Sequence, residues 1–189
     1  VYIVYGGQFE SEQVARKRIT ALGVAVIVGI FALLVMALGS GRLAVLTMAN
    51  LPLALIGGIA SVFLGGGVLS VGSLIGFITL FGIATRNGLI MITHYEYLIS
   101  EEGASLEEAV ERGSMERLSP VLMTALSAAL ALVPLVLAGH EPGNEIQAPM
   151  GIVILGGLLT STALNLLVIP ALYSRFSGRQ PTAANVPVL

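Results

Sequence analysis

The stretch that decides the fold covers residues 19–41, reads ITALGVAVIVGIFALLVMALGSG and contains no charged side chain. A helix that crosses a bilayer needs about 20 consecutive, predominantly apolar residues at a rise of about 1.5 Å per residue. This run is long enough for one crossing. It predicts a membrane-spanning helix over 19–39, which Arg42 closes.

Charge-free runs divide the rest of the chain in the same way. Residues 43–85 form a run that is too long for one crossing, and the triplet 65–67 of glycines followed by Ser70 breaks it in two. Further uncharged runs cover 118–140 and 146–174. The sequence therefore predicts an all-α membrane domain over 19–174, a helix bundle whose five spans lie at 19–39, 43–64, 71–99, 118–138 and 148–174.

The composition excludes other classes of protein. Of the 189 residues, 56% are hydrophobic and only 11% are charged, and the mean hydropathy is +0.93. Soluble domains carry roughly 25% charged residues, and disordered chains are rich in charge and poor in apolar residues. A soluble globular fold and a disordered chain are both excluded. Because the net charge of −2 offers no basic patch, we expect no nucleic-acid partner.

Few residues offer chemistry of their own. The chain has no cysteine, which excludes disulfides and thiolate sites, and its glycine triplet lacks the Lys-Ser/Thr sequel of a nucleotide loop. His140 with Glu141 and Glu145 could contact a metal ion weakly, but such groups in a short hydrophilic turn are more often solvated. We therefore expect no enzymatic activity, no cofactor and no metal site in this chain.

A hydrophilic segment separates the third span from the fourth. Ser105 and Glu108 have the spacing of a capping box, and Leu106, Ala109 and Val110 recur at helical spacing behind them. This pattern predicts a short amphipathic helix over about 105–118 that lies along the membrane face.

Positive charge is distributed unequally between the two ends of the predicted spans. An excess of Lys and Arg in short flanking segments marks the cytoplasmic side. The distribution predicts a cytoplasmic C-terminus with a tail over 175–189. One side holds five such residues and the other three, namely Arg42, Arg112, Arg117, Arg175 and Arg179 against Arg16, Lys17 and Arg18.

Small residues recur at every fourth position inside the predicted spans. Such spacing lets two helix backbones approach closely in a membrane, where dispersion contacts hold them together. Helix packing is the role expected of these pairs, which are Gly72 with Gly76, Ala84 with Gly88, and Gly157 with Ser161.

Arg86 is the most informative residue in the sequence, because it falls near the middle of the third span. Placing a permanent cation at that depth costs a free energy of about 3 kcal/mol unless the side chain faces a partner or a water-filled cavity. No carboxylate lies in the interior of any predicted span, and the nearest is Glu96, at the cytoplasmic end of the third. The partner acid must then come from elsewhere, with Asn87 and Thr124 as polar neighbours. The alternative is a shorter helix whose arginine snorkels to the cytoplasmic interface.

Several motifs together carry a family likeness. The order of these motifs resembles the second half of resistance-nodulation-division (RND) efflux pumps, and the GGQFE and GNEIQ segments are most similar to the heavy-metal branch. The motifs are YGGQFE at 5–10, NLPLALIGG at 50–58, GFITLFGIATRNG at 76–88, SLEEAV at 105–110, LSPVLMTA at 118–125, GNEIQ at 143–147 and IPALY at 169–173.

The resemblance implies a proton-driven antiporter in the bacterial inner membrane, built as a homotrimer of twelve-span subunits that work with a periplasmic adaptor and an outer-membrane channel. This chain would be a fragment that holds the last five spans. Residues 1–18, with a strand at the start, would end the periplasmic porter domain, and the missing N-terminal half would be the partner of the fragment.

The same resemblance implies roles for individual residues. The proton-binding acids of the family lie on a span of the first half, and the residue that matches Arg86 is commonly a Lys or another polar group that faces them. Thr124 matches a Thr that lines this relay in drug exporters. Some metal exporters instead carry an acid where Arg86 stands and a Lys where Val121 stands.

The sequence thus predicts a proton-coupled exporter of heavy-metal cations, with Arg86, Asn87 and Thr124 in the proton relay. Two alternatives remain open at this point. One is a multidrug or organic-solvent exporter of the same superfamily. The other is a non-catalytic membrane scaffold subunit that only packs against a partner.

Overall fold

The computed structural model describes residues 7–67, 69–139 and 141–177, and their regular structure is entirely helical. Five helical segments are long and apolar enough to cross a membrane, because α2 and α3 follow one another as a single segment, Gly41–Leu64. The predicted strand at 1–5 and the predicted tail from 178 onward lie outside the described residues. The helices are α1 (Gly7–Leu38), α2 (Gly41–Met48), α3 (Asn50–Leu64), α4 (Val71–Ser100), α5 (Leu106–Leu137) and α6 (Gln147–Ser177).

The second predicted span is interrupted at Ala49, between α2 and α3. Pro52 explains the interruption, because it has no N–H to donate to the carbonyl of Met48, one turn earlier. The glycine triplet ends α3 where the sequence places a break. Gly66 and Gly67 have φ angles of 112° and 74°, values that side chains with a Cβ rarely adopt.

The charged segment before the fourth span does not form a helix of its own. It is the first part of α5, which runs without a break from Leu106 to Leu137, so the predicted boundary near residue 118 is wrong. Two contacts with α4 explain why the segment follows the bundle instead of the membrane face. His94 Nε2 lies 2.7 Å from Glu116 Oε2, and Tyr95 Oη lies 2.6 Å from Ser114 Oγ.

The first helix begins well before the predicted first span, inside the segment expected to end a periplasmic domain. The helix α1 already begins at Gly7, twelve residues earlier, and continues through the span without a breaking residue. Arg16 Nη2 donates a hydrogen bond to the Leu69 carbonyl at 2.7 Å. This contact ties α1 to the connection between α3 and α4.

The helix α6 lies at the centre of the bundle and packs against α3, α4 and α5, whereas α1 packs at the edge against α2 and α4. Glycines make the central contacts close. A Cβ at Gly57 of α3 would lie 2.5 Å from the Gly156 carbonyl oxygen of α6. The arrangement places α4 between α1, α3, α5 and α6, with one of its faces uncovered.

The loop between α5 and α6 is closed by its own polar groups. Asn144 Nδ2 donates to the Ala138 carbonyl at 2.9 Å, and the Gly143 N–H donates to Glu145 Oε2 at 3.1 Å. Hydrogen bonds from the backbone N–H groups of Glu145 and Gly143 lower the pKa of the Glu145 carboxyl below its usual range. His140, the third residue of the weak metal patch considered above, lies outside the described residues.

Candidate functional site

Arg86 lies close to the midpoint of α4, about 20 Å from either end at the standard rise of an α-helix. Its side chain is exposed, although Thr85 and Asn87 on either side are buried. Side chains of an α-helix lean toward its N-terminus. The Cα–Cβ bond of Arg86 is therefore tilted toward the Val71 end of α4.

Arg86 belongs to an uncovered face that runs along the C-terminal two-thirds of α4. The residues of this face follow one another by three, four or seven positions, which places them within about 60° of one another around the helix axis. We call this face the open stripe of α4. Its exposed residues are Thr79, Gly82, Arg86, Thr93, Tyr97 and Ser100.

The Arg86 guanidinium has no hydrogen-bond or ion-pair partner among residues 7–67, 69–139 and 141–177, where every ion pair given by the structure involves His94 or Arg112. The sequence offers no acid nearby either. Between Gln13 and Tyr95 it contains no Asp or Glu, and Glu96 lies ten residues beyond Arg86. A cation at this depth is thus left without a counter-charge from the part of the chain described.

Thr124 of α5 lies at the same depth as Arg86. The two helices run in opposite directions and are fixed relative to each other by the contact between His94 and Glu116. Arg86 lies eight residues before His94 and Thr124 eight residues after Glu116, a distance of about 12 Å along each axis. Thr124 is also exposed, and its hydroxyl donates to the Pro120 carbonyl at 2.8 Å.

Asn87 does not share the open stripe. It is buried, with 7% of its surface exposed, and lies on a face of α4 that is turned into the bundle. The structure therefore brings Arg86 and Thr124 to one depth on uncovered faces, and it places Asn87 beside them on the inner side.

The small residues proposed for packing lie at helix contacts. A Cβ at Gly72 would come within 2.2 Å of the Ile146 carbonyl oxygen, and one at Gly76 within 2.9 Å of the Met150 carbonyl oxygen. At Gly88 and Gly157 the added atom would meet side chains, those of Thr47 and Leu80. Ala84 and Ser161 are fully buried, with at most 1% exposed.

Sequence reasoning missed two features near the site. The first is the contact of α3 with α6 through Gly57 and Gly156, which the spacing of Gly57 and Ser61 could have indicated. The second is a polar cluster at the charged end of α4 and α5. Arg112 donates to Glu116 Oε1 at 2.8 Å and to Glu102 Oε2 at 2.7 Å, and only the four-residue spacing of Arg112 and Glu116 was visible in the sequence.

One further contact at this end joins α4 to α6. The Tyr173 hydroxyl donates a hydrogen bond to the Glu96 carboxylate, and the rings of Tyr95 and Tyr173 lie 5.0 Å apart between their centroids. Glu96 is therefore hydrogen-bonded to α6 near the C-terminal end of α4, ten residues beyond Arg86. It does not serve as the counter-charge of Arg86.

These features define a multi-pass helical membrane domain with an unpaired cation on an uncovered face. Residues 1–177 match the AcrB/AcrD/AcrF family. The chain therefore belongs to that family, which confirms the resemblance to RND efflux pumps, a family of transporters.

Several relatives are similar to the chain over nearly all of its length. Protein HelA of Legionella pneumophila is 45% identical over 179 residues, which are 95% of this chain and 17% of that protein. The cobalt-zinc-cadmium resistance protein CzcA of Cupriavidus metallidurans is 41% identical over 91% of this chain and 16% of its own length. The chain thus spans about a sixth of the length of these relatives.

A solved structure agrees with the helical arrangement. The crystal structure of a heavy metal efflux pump, in its crystal form II, has a TM-score of 0.80 and 42% sequence identity to this chain. The match covers 92% of this chain and 17% of that pump.

Proposed function

We propose that this chain is a fragment of a proton-coupled exporter of heavy-metal cations, with the last five of its membrane spans, in which Arg86 is the counter-charge of a proton-binding carboxylate. The observation that carries the proposal is the unpaired guanidinium on the open stripe of α4. A membrane arginine almost always faces a bundle interior or a wet cavity and pairs with another group. The partner acid would come from another helix that covers the stripe.

The physical basis of coupling is the effect of the cation on the pKa of that acid. An opposite charge within about 4–6 Å favours the ionised carboxylate and lowers its pKa by about 1–3 units. When the helices shift and Arg86 moves away, the acid takes up a proton. In this step only the position of Arg86 changes. Thr124 at the same depth, and Asn87 on the inner side, would hold water or hydrogen bonds in the relay.

Proton uptake would then bias the bundle between two arrangements, as in carriers that work by alternating access. Metal cations are the proposed substrate because relatives similar over almost the entire chain carry names such as cobalt-zinc-cadmium resistance protein and nickel and cobalt resistance protein. The complete subunit would form a homotrimer in the bacterial inner membrane, with a periplasmic adaptor and an outer-membrane channel as partners. Its C-terminus would lie in the cytoplasm.

Exchanging Arg86 for Gln in the complete pump tests the proposal. Without the cation the acid stays protonated, and we expect export of Co²⁺ and Zn²⁺ from loaded cells to fall about tenfold or more. Arg86→Lys keeps the charge and should retain part of the export.

Arg42→Gln is the matched control, because Arg42 is an exposed cation in the first turn of α2 and does not belong to the open stripe. It should leave export unchanged. Normal export by Arg86→Gln at the same level of membrane protein would refute the role of Arg86. A pump that exports dyes or solvents but neither metal would point to the multidrug alternative.

A further inference from the structure

Four buried side chains of the bundle contain polar atoms without a partner among the described residues. These atoms are Oδ1 of Asn50, Oγ1 of Thr85, Oγ1 of Thr162 and both amide atoms of Asn165. Asn165 is completely buried, and the other three side chains are at least nine-tenths buried. Buried polar atoms nearly always have a hydrogen-bond partner, which can be protein or ordered water.

The four side chains lie in one layer of the bundle. Asn50 Nδ2 donates to the Ala84 carbonyl at 3.0 Å, which sets α3 beside Thr85 of α4. A Cβ at Gly88 would lie 3.2 Å from Ile169 Cδ1, which sets the next turn of α4 beside α6. Asn165 lies one turn before Ile169, and Thr162 lies one turn before Asn165. We call this set of four residues the polar layer.

The polar layer differs from Arg86 in what can reach it. Arg86 is exposed and can be paired by a helix that covers the open stripe. Asn165 has no exposed surface within this chain, so no side chain from outside can contact its amide. Its partner has to be small enough to lie inside the bundle.

The chemistry of the unpartnered atoms restricts the ligand further. Asn50 Oδ1 and Asn165 Oδ1 can only accept hydrogen bonds, whereas Asn165 Nδ2 can only donate. A metal ion would bind the oxygens but leave the amide N–H groups unpaired. It would also lie near the Arg86 cation in a layer without a carboxylate. Water both donates and accepts, and buried waters typically make two to four such bonds, about three on average.

We infer that the polar layer binds ordered water between α3, α4 and α6. This water is held on the side of α4 opposite to the open stripe and at the depth of Arg86. The helix α4 thus contacts water in the interior of the bundle, away from the open stripe. The inference does not rest on the proposed transport function.

The complete pump in lipid nanodiscs, imaged at a resolution that shows waters, provides the first test. We expect density about 2.7–3.2 Å from the Asn165 amide atoms and from at least one other member of the polar layer. A map without density there would overturn the inference.

Two apolar variants provide a test that does not depend on the map. In Asn165→Leu and Thr162→Val the water loses a partner and its remaining partners are left unpaired, so we expect the Tm of the pump to fall. If the layer were dry, the same changes would remove buried orphaned atoms and raise the Tm. Thr47→Val is the matched control, because the Thr47 hydroxyl is fully buried but already donates to the Leu43 carbonyl at 2.8 Å.

The Thr47→Val control should keep the water density. A Tm raised by Asn165→Leu would overturn the inference whatever the variant does to transport. A Tm that rises with NaCl but not with choline chloride, and does so only while Asn165 is present, would identify a bound cation and would also overturn it.

Discussion

At the scale of single residues, Gly72 and Arg86 of α4 matter for opposite reasons. Gly72 is required because it has no side chain, since the Ile146 carbonyl oxygen occupies the space where a Cβ would lie. Arg86 matters because of its side chain, which carries a charge and has no partner among the described residues. The sequence indicated both positions, the first by small-residue spacing and the second by a charge inside an apolar run.

Gly72→Ala should destabilise the contact between α4 and the start of α6. The added Cβ would lie 2.2 Å from a backbone oxygen, which cannot rotate away as a side chain could. We expect a cost of about 1–3 kcal/mol, measured as a lower Tm of the pump in detergent. Gly29→Ala in α1 is the control, because nothing lies within 4 Å of the added atom. An unchanged Tm for Gly72→Ala would contradict the close packing described here.

The polar layer shows where residue-level prediction from sequence ends. Asn50, Thr85 and the neighbouring pair Thr162 and Asn165 come from three distant parts of the sequence, and each residue is unremarkable in an apolar helix. Threonine hydroxyls in helices commonly bond to a carbonyl of the preceding turn, as Thr47, Thr93 and Thr160 do here. Only the packing of three helices decides which hydroxyls and amides are left without a protein partner.

At the scale of elements, α5 combines a charged start and an apolar span in one helix. The sequence predicted its N-terminus well, since the Ser105 side chain accepts a hydrogen bond from the Glu108 N–H at 3.3 Å. It did not predict continuity with the span. A change from charged to apolar composition does not by itself break a helix, and α5 continues even through Pro120 and Pro134.

Ser105→Ala should loosen the first turn of α5. Loss of an N-cap typically costs about 1 kcal/mol, and it leaves the backbone N–H of Glu108 without its partner. Hydrogen exchange should become faster over residues 106–109 and stay unchanged near the middle of the helix. Ser105→Asp keeps an acceptor at the cap and should preserve slow exchange. Equal exchange in the Ala variant and the parent would show that the cap does not hold this turn.

At the scale of the whole molecule, the positions of the helices define one uncovered face on an otherwise enclosed α4. Hydropathy was sufficient to predict the number of crossings, because length and apolar content are local properties of the sequence. The central place of α6 and the uncovered state of the open stripe could not be predicted. They depend on which faces of different helices meet, and every span is apolar on several faces.

The proposed orientation leads to a labelling experiment, for which the absence of cysteine is an advantage. Glu101→Cys follows α4 and Glu145→Cys lies between α5 and α6, at opposite ends of the spans, and both positions are exposed. An impermeant maleimide added to intact spheroplasts should label the second variant only. After lysis both should be labelled. Labelling of Glu101→Cys in intact spheroplasts would reverse the orientation.

The lone edge position of α1 has a consequence for biosynthesis. Among the five apolar segments of the described residues, α1 contains the most apolar stretch and that stretch is almost entirely exposed, whereas the corresponding stretch of α4 is the least apolar and is half buried. An arginine near a helix centre disfavours insertion by about 2.5–3.5 kcal/mol on translocon-based scales. Because α1 precedes α4 along the chain, the ribosome delivers the more self-sufficient of these two segments before the less self-sufficient one. The least self-sufficient one arrives after α1 and α3 are in place to receive it.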